Sequence, residues 1–185
     1  MKKSLIAGAG VAALAMAAVP FGFASATDIT EVTDTLTINI EASCTFDAGT
    51  HAYTKTMTAN QLDSSFGQTV LTVTCNNAKG YTVGSQMNTL TGPAKAGSGN
   101  EEITYSATDL SAAGVGKYSA GYSNVINGGT ATTGQVPQSG TLMTSNTMTP
   151  AAGDTSTITY KVSTTTNQAA GQYQGTAVYT LTPAS

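Results

Sequence analysis

Apolar and polar residues alternate along several short segments of the chain, a pattern typical of half-buried β-strands. The first of these segments covers residues 35–44, where Leu36, Ile38 and Ile40 fall on the same face as Cys44. The alternation predicts a strand that ends at the first cysteine.

A second alternating segment covers residues 69–75 and ends at Cys75. It is followed by residues 76–80, whose Asn and Gly content predicts a turn, and by a third strand starting at residues 81–84. Both cysteines are in phase with apolar positions. We therefore expect a bridge between Cys44 and Cys75 to join two strands inside the core or at its margin.

The C-terminal part of the chain alternates again. Residues 155–163 and 172–181 predict two strands, separated by a turn at residues 169–171. The residues on one side of the predicted terminal strand are Tyr173, Ala177, Tyr179 and Leu181. Residues 172–181 are uncharged, and an edge strand normally carries Lys or Pro against unwanted pairing. The lack of such protective residues is expected of a strand that is covered in a polymer, or of a central strand.

The middle of the chain, residues 87–154, carries weaker signals. Residues 103–105, 117–126 and 141–144 are short strand candidates, and residues 127–130 form a strong turn signal. No role is assigned to this region from sequence.

Composition supports the same fold class. Only 9% of residues are charged, aromatic residues make up 6%, and glycine fills 20 positions. Thr, which is frequent in this chain, packs well on a pleated sheet and loses side-chain freedom in a helix. With seven to nine short strands between turns, the sequence predicts an all-β, immunoglobulin-like antiparallel β-sandwich forming a single domain over residues 27–185.

The N-terminus has the pattern of a signal peptide over residues 1–26. Lys2 and Lys3 precede an apolar, small-residue run at 5–23, and residues 24–26 (ASA) supply the small-x-small cleavage pattern. We expect cleavage before Thr27, secretion, and no stable membrane insertion afterwards. A retained anchor is the alternative, disfavoured because the run is built of Ala and Gly.

Cys44 and Cys75 are the only cysteines. An even pair in an exported chain favours a disulfide over two free thiols or a metal site, and with one His the chain lacks the ligands that zinc needs. A bridge closing this loop would stabilise the fold by about 3 to 4 kcal/mol in the chain-entropy model.

Candidate chemistry is sparse, and the sequence predicts no enzyme, cofactor or metal. His51 lies in a polar stretch typical of a solvated loop, and the adjacent Glu101 and Glu102 would face opposite sides of a strand rather than form a catalytic pair. A formal net charge of -3 provides no basic surface for nucleic acid. Eight tyrosines could form a carbohydrate-stacking surface, although packing on sheet faces is the commoner role.

Four segments of the chain carry a resemblance to a known family. They are residues 42–46 (ASCTF), 68–77 (QTVLTVTCNN), 80–84 (GYTVG) and 170–182 (AGQYQGTAVYTLT). Together they resemble the spore coat protein U domain and, more loosely, chaperone-usher pilin subunits. The resemblance covers about half of the mature chain and departs from the family pattern at residues 87–154.

The resemblance implies an exported structural subunit of a surface fibre (fimbrium) or coat, with a disulfide between its first two strands. It also implies a groove left by a missing strand, which a periplasmic chaperone and then a neighbouring subunit would fill at an usher. The candidate donor extension is residues 27–37. The apolar residues of the candidate donor strand are Ile29, Val32, Leu36, Ile38 and Ile40.

Two questions stay open at the level of sequence. The N-terminal segment could be donated to a second copy, giving a homo-oligomer or polymer, or could pair within its own domain. The chain could also be a self-contained extracellular adhesin, a carbohydrate- or protein-binding β-sandwich acting in cell adhesion.

Overall fold

A computed structural model describes residues 35–47, 49, 51–97, 99–110 and 115–185. The predicted signal peptide and the candidate donor residues Ile29 and Val32 lie outside this range. The chain divides into two units, Met1–Asn39 and Ile40–Ser185. The fold described below belongs to the second unit.

Ten β-strands form the framework, arranged in two sheets among the described residues. Their bounds are β1 Cys44–Asp47, β2 Ser64–Cys75, β3 Tyr81–Met87, β4 Leu90–Ala94, β5 Asn100–Tyr105, β6 Lys117–Val125, β7 Thr132–Gln135, β8 Ser139–Ser145, β9 Asp154–Ser163 and β10 Ala177–Pro183. The larger sheet has the order β1-β2-β9-β6-β5-β4, with β7 paired to β6, and the smaller has the order β10-β3-β8.

Nearly all of the strand pairs are antiparallel, and β5 with β6 is parallel. One long ladder joins β2 to β9 and contains a register shift between Ser65 and Gly67. The other long ladder of this sheet joins β6 to β9 from Lys117 to Val125. These two ladders make β9 the central strand of the larger sheet.

The core lies between the two sheets and follows the alternation seen in the sequence. In β2 the inward residues Leu71 and Val73 are fully buried, and in β3 so are Tyr81 and Val83. The other buried apolar residues of this core are Cys75, Met87, Ile103, Tyr105, Tyr118, Ala120, Val136, Leu142, Met143, Ile158, Tyr160 and Val162. The prediction of an all-β protein is confirmed.

A buried carboxylate links the sheets at the start of β9. Asp154 has no exposed surface and accepts hydrogen bonds from the Tyr81 hydroxyl at 2.6 Å and from the Asn127 amide at 2.7 Å. Asn127 has a φ of 53°, the left-handed conformation that Asn tolerates in tight turns. The turn predicted at residues 127–130 is therefore held to the core by Asp154.

Cys44 and Cys75 form the predicted disulfide and are register partners in the β1-β2 ladder. Cys75 is 2% exposed, and Cys44 is half-buried against the core. The bridge therefore ties the edge strand β1 to the interior of the larger sheet, as the phase of the two cysteines predicted.

Two strand boundaries predicted from the sequence are wrong. Residues 35–43 form no strand, and β1 begins at Cys44. The terminal strand begins at Ala177 rather than at residue 172, so Tyr173 lies outside it. In this part Gln174 makes an isolated bridge to Thr91, and a Cβ at Gly175 would lie 2.8 Å from the Thr89 carbonyl oxygen, which marks a close chain crossing rather than a regular ladder.

Candidate functional site

An apolar groove of about 1480 Å³ opens beside the last strand. It is bounded by the larger sheet, by β10, and by residues 51–59 and 164–176, which belong to no named strand. The apolar side chains that line it are Phe46, Ala52, Met57, Ala59, Phe66, Leu71, Leu90, Ile103, Val162, Ala169, Ala170, Ala177 and Val178, together with Tyr53, Tyr118, Tyr160, Tyr173 and Tyr179.

The deepest part of the groove is formed by the inner face of the larger sheet. Leu71 of β2 is fully buried there, and Tyr160 and Val162 of β9 are nearly so. Phe66 and Tyr160 pack with their ring centroids 5.7 Å apart. The floor is thus ordinary core, continuous with the interior between the sheets.

One wall of the groove is the edge strand β10. It pairs with β3 on one side and ends the smaller sheet on the other, within the described residues. Its inward residues Ala177, Tyr179 and Leu181 are only half-buried, whereas the inward residues Ile158 and Val162 of β9 are buried. The smaller sheet therefore leaves the inner face of β10 incompletely covered on its open side.

The backbone of this edge can be assigned from two hydrogen bonds at the ends of the β10-β3 ladder. The Asn88 amide donates to the Thr176 carbonyl at 3.1 Å, and the Ala184 amide donates to the Gly80 carbonyl at 3.0 Å. Hydrogen-bonded pairs recur at every second residue of an antiparallel ladder. Even-numbered residues of β10 therefore pair with β3, and the odd-numbered residues Ala177, Tyr179 and Leu181 direct their N–H and C=O groups to the open side.

A second wall is a segment without a backbone ladder, residues 51–59. The Tyr53 hydroxyl donates to the Gln68 carbonyl, and the Lys55 ammonium donates to the Ser65 carbonyl at 2.8 Å. The rings of Tyr53 and Tyr160 pack at a centroid distance of 5.7 Å. Side chains, rather than strand pairing, hold this wall against the sheet.

The tyrosines lining the groove contribute their rings rather than their hydroxyls to its surface, because the hydroxyls form hydrogen bonds within the chain. The Tyr118 hydroxyl donates to the Asn88 carbonyl, that of Tyr173 donates to the Ala169 carbonyl at 3.0 Å, and those of Tyr160 and Tyr179 bond each other at 2.8 Å. Burial raises the pKa of Tyr118, Tyr160 and Tyr179 above the ordinary value of 10. These three phenols stay neutral at physiological pH.

An unpaired apolar segment lies at the N-terminal end of the described chain. Leu36, Ile38 and Ile40 are 89%, 85% and 83% exposed. Residues 35–40 have no regular structure and no hydrogen-bond partner among the described residues. We call residues 35–40 the tail. Three large apolar side chains at every second position are left in solvent, which is unusual for an isolated protein.

The structure brings together part of what the sequence singled out. The terminal-strand residues Tyr173, Ala177 and Tyr179 line the groove, while Leu181 lies farther along β10. The prediction of a solvated His51 is confirmed, since it is exposed and its ring stacks on Tyr53 at 5.9 Å.

The predicted opposite orientation of the two adjacent acids agrees with their place in β5. Glu101 is partly buried, with its carboxylate 4.0 Å from the Lys95 ammonium, and Glu102 is exposed. No catalytic pair of carboxylates is formed by these two residues.

Sequence reasoning missed the second wall and its contacts. Tyr53 and Met57 lie in a segment that lacks alternation, so only their size marked them as packing residues. Asn76 was recognised as a turn residue, and its hydrogen bonds to the chain before β1 carry no sequence signal. A Gly at position 67, where the Tyr53 ring would contact any added Cβ, is a signal that could have paired these two positions.

The site contains little charge. Lys55 and His51 are the titratable residues other than tyrosine among those lining the groove. Within the described ranges no group of three or more His, Cys, Asp or Glu is placed to hold a metal. In the same part of the chain, no helix has the length and apolar character needed to span a membrane.

Comparison with known proteins finds no matching family model, no matching curated protein and no matching solved structure.

Proposed function

We propose that the protein is a secreted structural subunit of a cell-surface fibre or coat, an immunoglobulin-like β-sandwich that assembles by β-strand addition. The observation that carries the proposal is the combination, in one chain, of an apolar groove beside an open strand edge and an unpaired apolar tail. An uncovered apolar groove and an exposed apolar segment each favour unwanted association when alone. Binding of the tail in the groove would cover both apolar surfaces.

The groove has the two features that strand addition requires. Backbone N–H and C=O groups of Ala177, Tyr179 and Leu181 are directed to the open side of β10, and apolar side chains such as Phe46 and Phe66 line the groove beside it. Main-chain hydrogen bonds give affinity in this mode of recognition, and pockets for alternate side chains give specificity.

The tail matches these features in pattern and in length. Leu36, Ile38 and Ile40 would face the groove together in an extended conformation, since alternate residues of a strand share a face. Six residues extend over roughly 20 Å, close to the roughly 23 Å of the seven-residue β10, at about 3.3 Å per residue. Ile29 and Val32, outside the described residues, stay predictions as further donor residues.

The proposal includes export and assembly partners as expectations from the family resemblance. A chain that displays both a tail and an open groove would need protection from premature association, which a periplasmic chaperone and an usher supply in the family it resembles. The signal peptide over residues 1–26, cleavage before Thr27 and a location in a fimbrium or coat belong to this proposal.

A second candidate function, an extracellular adhesin or glycan-binding module, is favoured by the five tyrosines lining the groove. Aromatic rings stack well on sugar faces. All five hydroxyls, however, bond groups of the chain itself, as described above for Tyr53, Tyr118, Tyr160, Tyr173 and Tyr179. They are not free to bind sugar hydroxyls, so we rank this function second.

The test is electrophoresis of native surface material in SDS, with and without boiling, probed for this protein. Strand-addition polymers predict a ladder at multiples of the subunit mass that collapses to a monomer on boiling. Ile38→Asp should remove the ladder, because a carboxylate cannot enter an apolar groove without large cost.

The matched control is Leu62→Asp. Leu62 is also strongly exposed, at 65%, and does not line the groove. It should leave the ladder intact. A single monomer band from the unaltered protein, boiled or not, would contradict polymerisation and turn attention to ligand screening of the groove.

A further inference from the structure

We infer that the side chain of Asn76 directs the tail of each subunit to a second copy by preventing it from folding back into its own groove. This inference rests on the proposed function and concerns the choice between donation to another copy and pairing within one chain. It names a positioning residue that the strand-addition proposal itself does not require.

Asn76 makes three hydrogen bonds to the chain just before β1. Its amide donates to the Ser43 carbonyl at 3.0 Å, its side-chain oxygen accepts from the Ser43 amide at 2.5 Å, and its side-chain nitrogen donates to the Glu41 carbonyl at 3.1 Å. Residues 41–43 are exposed and belong to no strand. These bonds fix a stretch of chain that would otherwise have few constraints.

The Asn76 carboxamide makes hydrogen bonds that backbone groups would make if the β1-β2 ladder continued past Cys44. Cys44 pairs with Cys75, so a continuing ladder would pair Ser43 with Asn76 and Glu41 with Ala78. The main chain turns away there, since the Gly80 amide donates to the Asn77 carbonyl at 2.9 Å. The Asn76 side chain replaces one backbone acceptor for Ser43 and one backbone donor for Glu41, and so extends the ladder beyond the end of β2.

The ladder extended by Asn76 lies at the point where the chain would have to reverse for the tail to reach its own groove. The turn at residues 76–80 also receives the end of β10, through the Asn77 side-chain nitrogen donating to the Ala184 carbonyl at 2.6 Å. The first residue of β1 and the last residues of β10 therefore meet at one end of the fold. To enter its own groove alongside β10, the tail would have to turn back at residues 41–43.

Hairpin connections of two to five residues are common, so three residues would suffice for such a reversal if they were free. Glu41 and Ser43 are not free, because a reversal would break both side-chain bonds from Asn76. The groove is thereby left open to residues 35–40 of a second copy.

The experiment compares the full-length exported protein with Asn76→Ala, using size-exclusion chromatography with light scattering and amide hydrogen exchange. We expect Asn76→Ala to raise the ratio of monomer to polymer about 30-fold, the effect of losing two hydrogen bonds of ordinary strength. In the new monomers the amides of Ala177, Tyr179 and Leu181 should be protected, because each chain fills its own groove.

Asn77→Ala is the matched control. Asn77 is the neighbouring residue in the same turn and also bonds through its side chain, to Lys79 and Ala184, but it makes no side-chain bond to residues 41–43. It should change the melting temperature without the shift to monomers. Asn76→Asp retains an acceptor for Ser43 and loses the donor to Glu41, and should give an intermediate ratio.

The outcomes separate the inference from the proposal beneath it. Polymers unchanged in Asn76→Ala, or in Asn76→Asp if Asn76→Ala fails to fold, would overturn the role of Asn76 and leave strand addition standing. Unaltered protein that is monomeric with those three amides protected would also overturn it. Unaltered protein that is monomeric with those amides unprotected would overturn strand addition itself.

Discussion

The hydroxyl oxygens of Tyr160 and Tyr179 lie 2.8 Å apart and join the central strand of the larger sheet to the edge strand of the smaller. Tyr179 is the middle inward residue of β10, so this bond fixes the strand that forms one wall of the groove. The pair is placed where the groove meets the core.

Replacing Tyr179 with Phe should therefore destabilise the protein modestly. A hydrogen bond contributes about 1 kcal/mol net, and the hydroxyl of the nearly buried Tyr160 is left without its bond to Tyr179. In urea denaturation we expect a lower midpoint concentration and an unchanged dependence of the unfolding free energy on urea concentration. Tyr122→Phe is the control, since that hydroxyl has no hydrogen-bond partner among the described residues, and an equal loss in both variants would contradict a specific role for the pair.

Stability should fall at alkaline pH. Burial raises the pKa of Tyr105 to about 12, whereas the same phenol in the unfolded chain ionises near its ordinary value of 10. Between these values the unfolded state has released its proton and the folded state has not, so the free energy of unfolding decreases as pH rises. The contribution is fully present below pH 10.

The measurement is the urea midpoint at pH 8 and at pH 11, in the unaltered protein and in Tyr105→Phe. The variant should lose less stability across this range than the unaltered protein does. An identical loss in both would show that other groups, such as the lysines, account for the pH dependence.

Removing the disulfide should cost more than any single hydrogen bond. Cys44 and Cys75 are 31 residues apart, and closing a loop of this size is worth about 3 to 4 kcal/mol in the chain-entropy model. The double variant Cys44→Ala/Cys75→Ala should unfold at a clearly lower denaturant concentration. Reduction of the unaltered protein is a second route to the same state, and unchanged unfolding under both conditions would contradict a stabilising bridge.

Gly67→Ala should disturb the second wall of the groove. The added Cβ would contact the Tyr53 ring, whose Cδ1 and Cδ2 atoms lie 2.7 Å from the ideal position, so the ring must move. Overpacking of this kind costs about 1 to 3 kcal/mol. Gly84→Ala is the control, because its Cβ would meet only ordinary contacts, the nearest at 3.7 Å. Equal midpoints for the two variants would show that Tyr53 adapts freely.

The alternation of apolar and polar residues was sufficient to predict the strands whose inner face packs against the other sheet. β2, β3 and β9 bury every second residue because a sheet lies across from them, and the sequence pattern reports that burial directly. The disulfide followed from the phase of Cys44 and Cys75 with these positions.

The same alternation misled at residues 35–43. Alternation of apolar and polar residues indicates that one face of an extended segment is buried. It does not indicate whether the surface that buries this face belongs to the same chain. Leu36, Ile38 and Ile40 alternate as well as any residues of β2, yet they are exposed. The groove was equally hidden, since it lies beside the edge of β10 that has no partner strand among the described residues, and no sequence motif marks it.

In the proposed strand addition each subunit would give its tail to one neighbour and its groove to another, so the two partners in a contact would use different surfaces. Such heterologous contacts do not close in pairs, and they propagate into open chains with two unlike ends unless the rotation between neighbours closes a ring. One end would carry a free tail, and the other a vacant groove. A copy that has lost residues 35–40 could accept a neighbour but could not bind the next one, so trimming of the tail would terminate growth in one direction and limit the length of the filament.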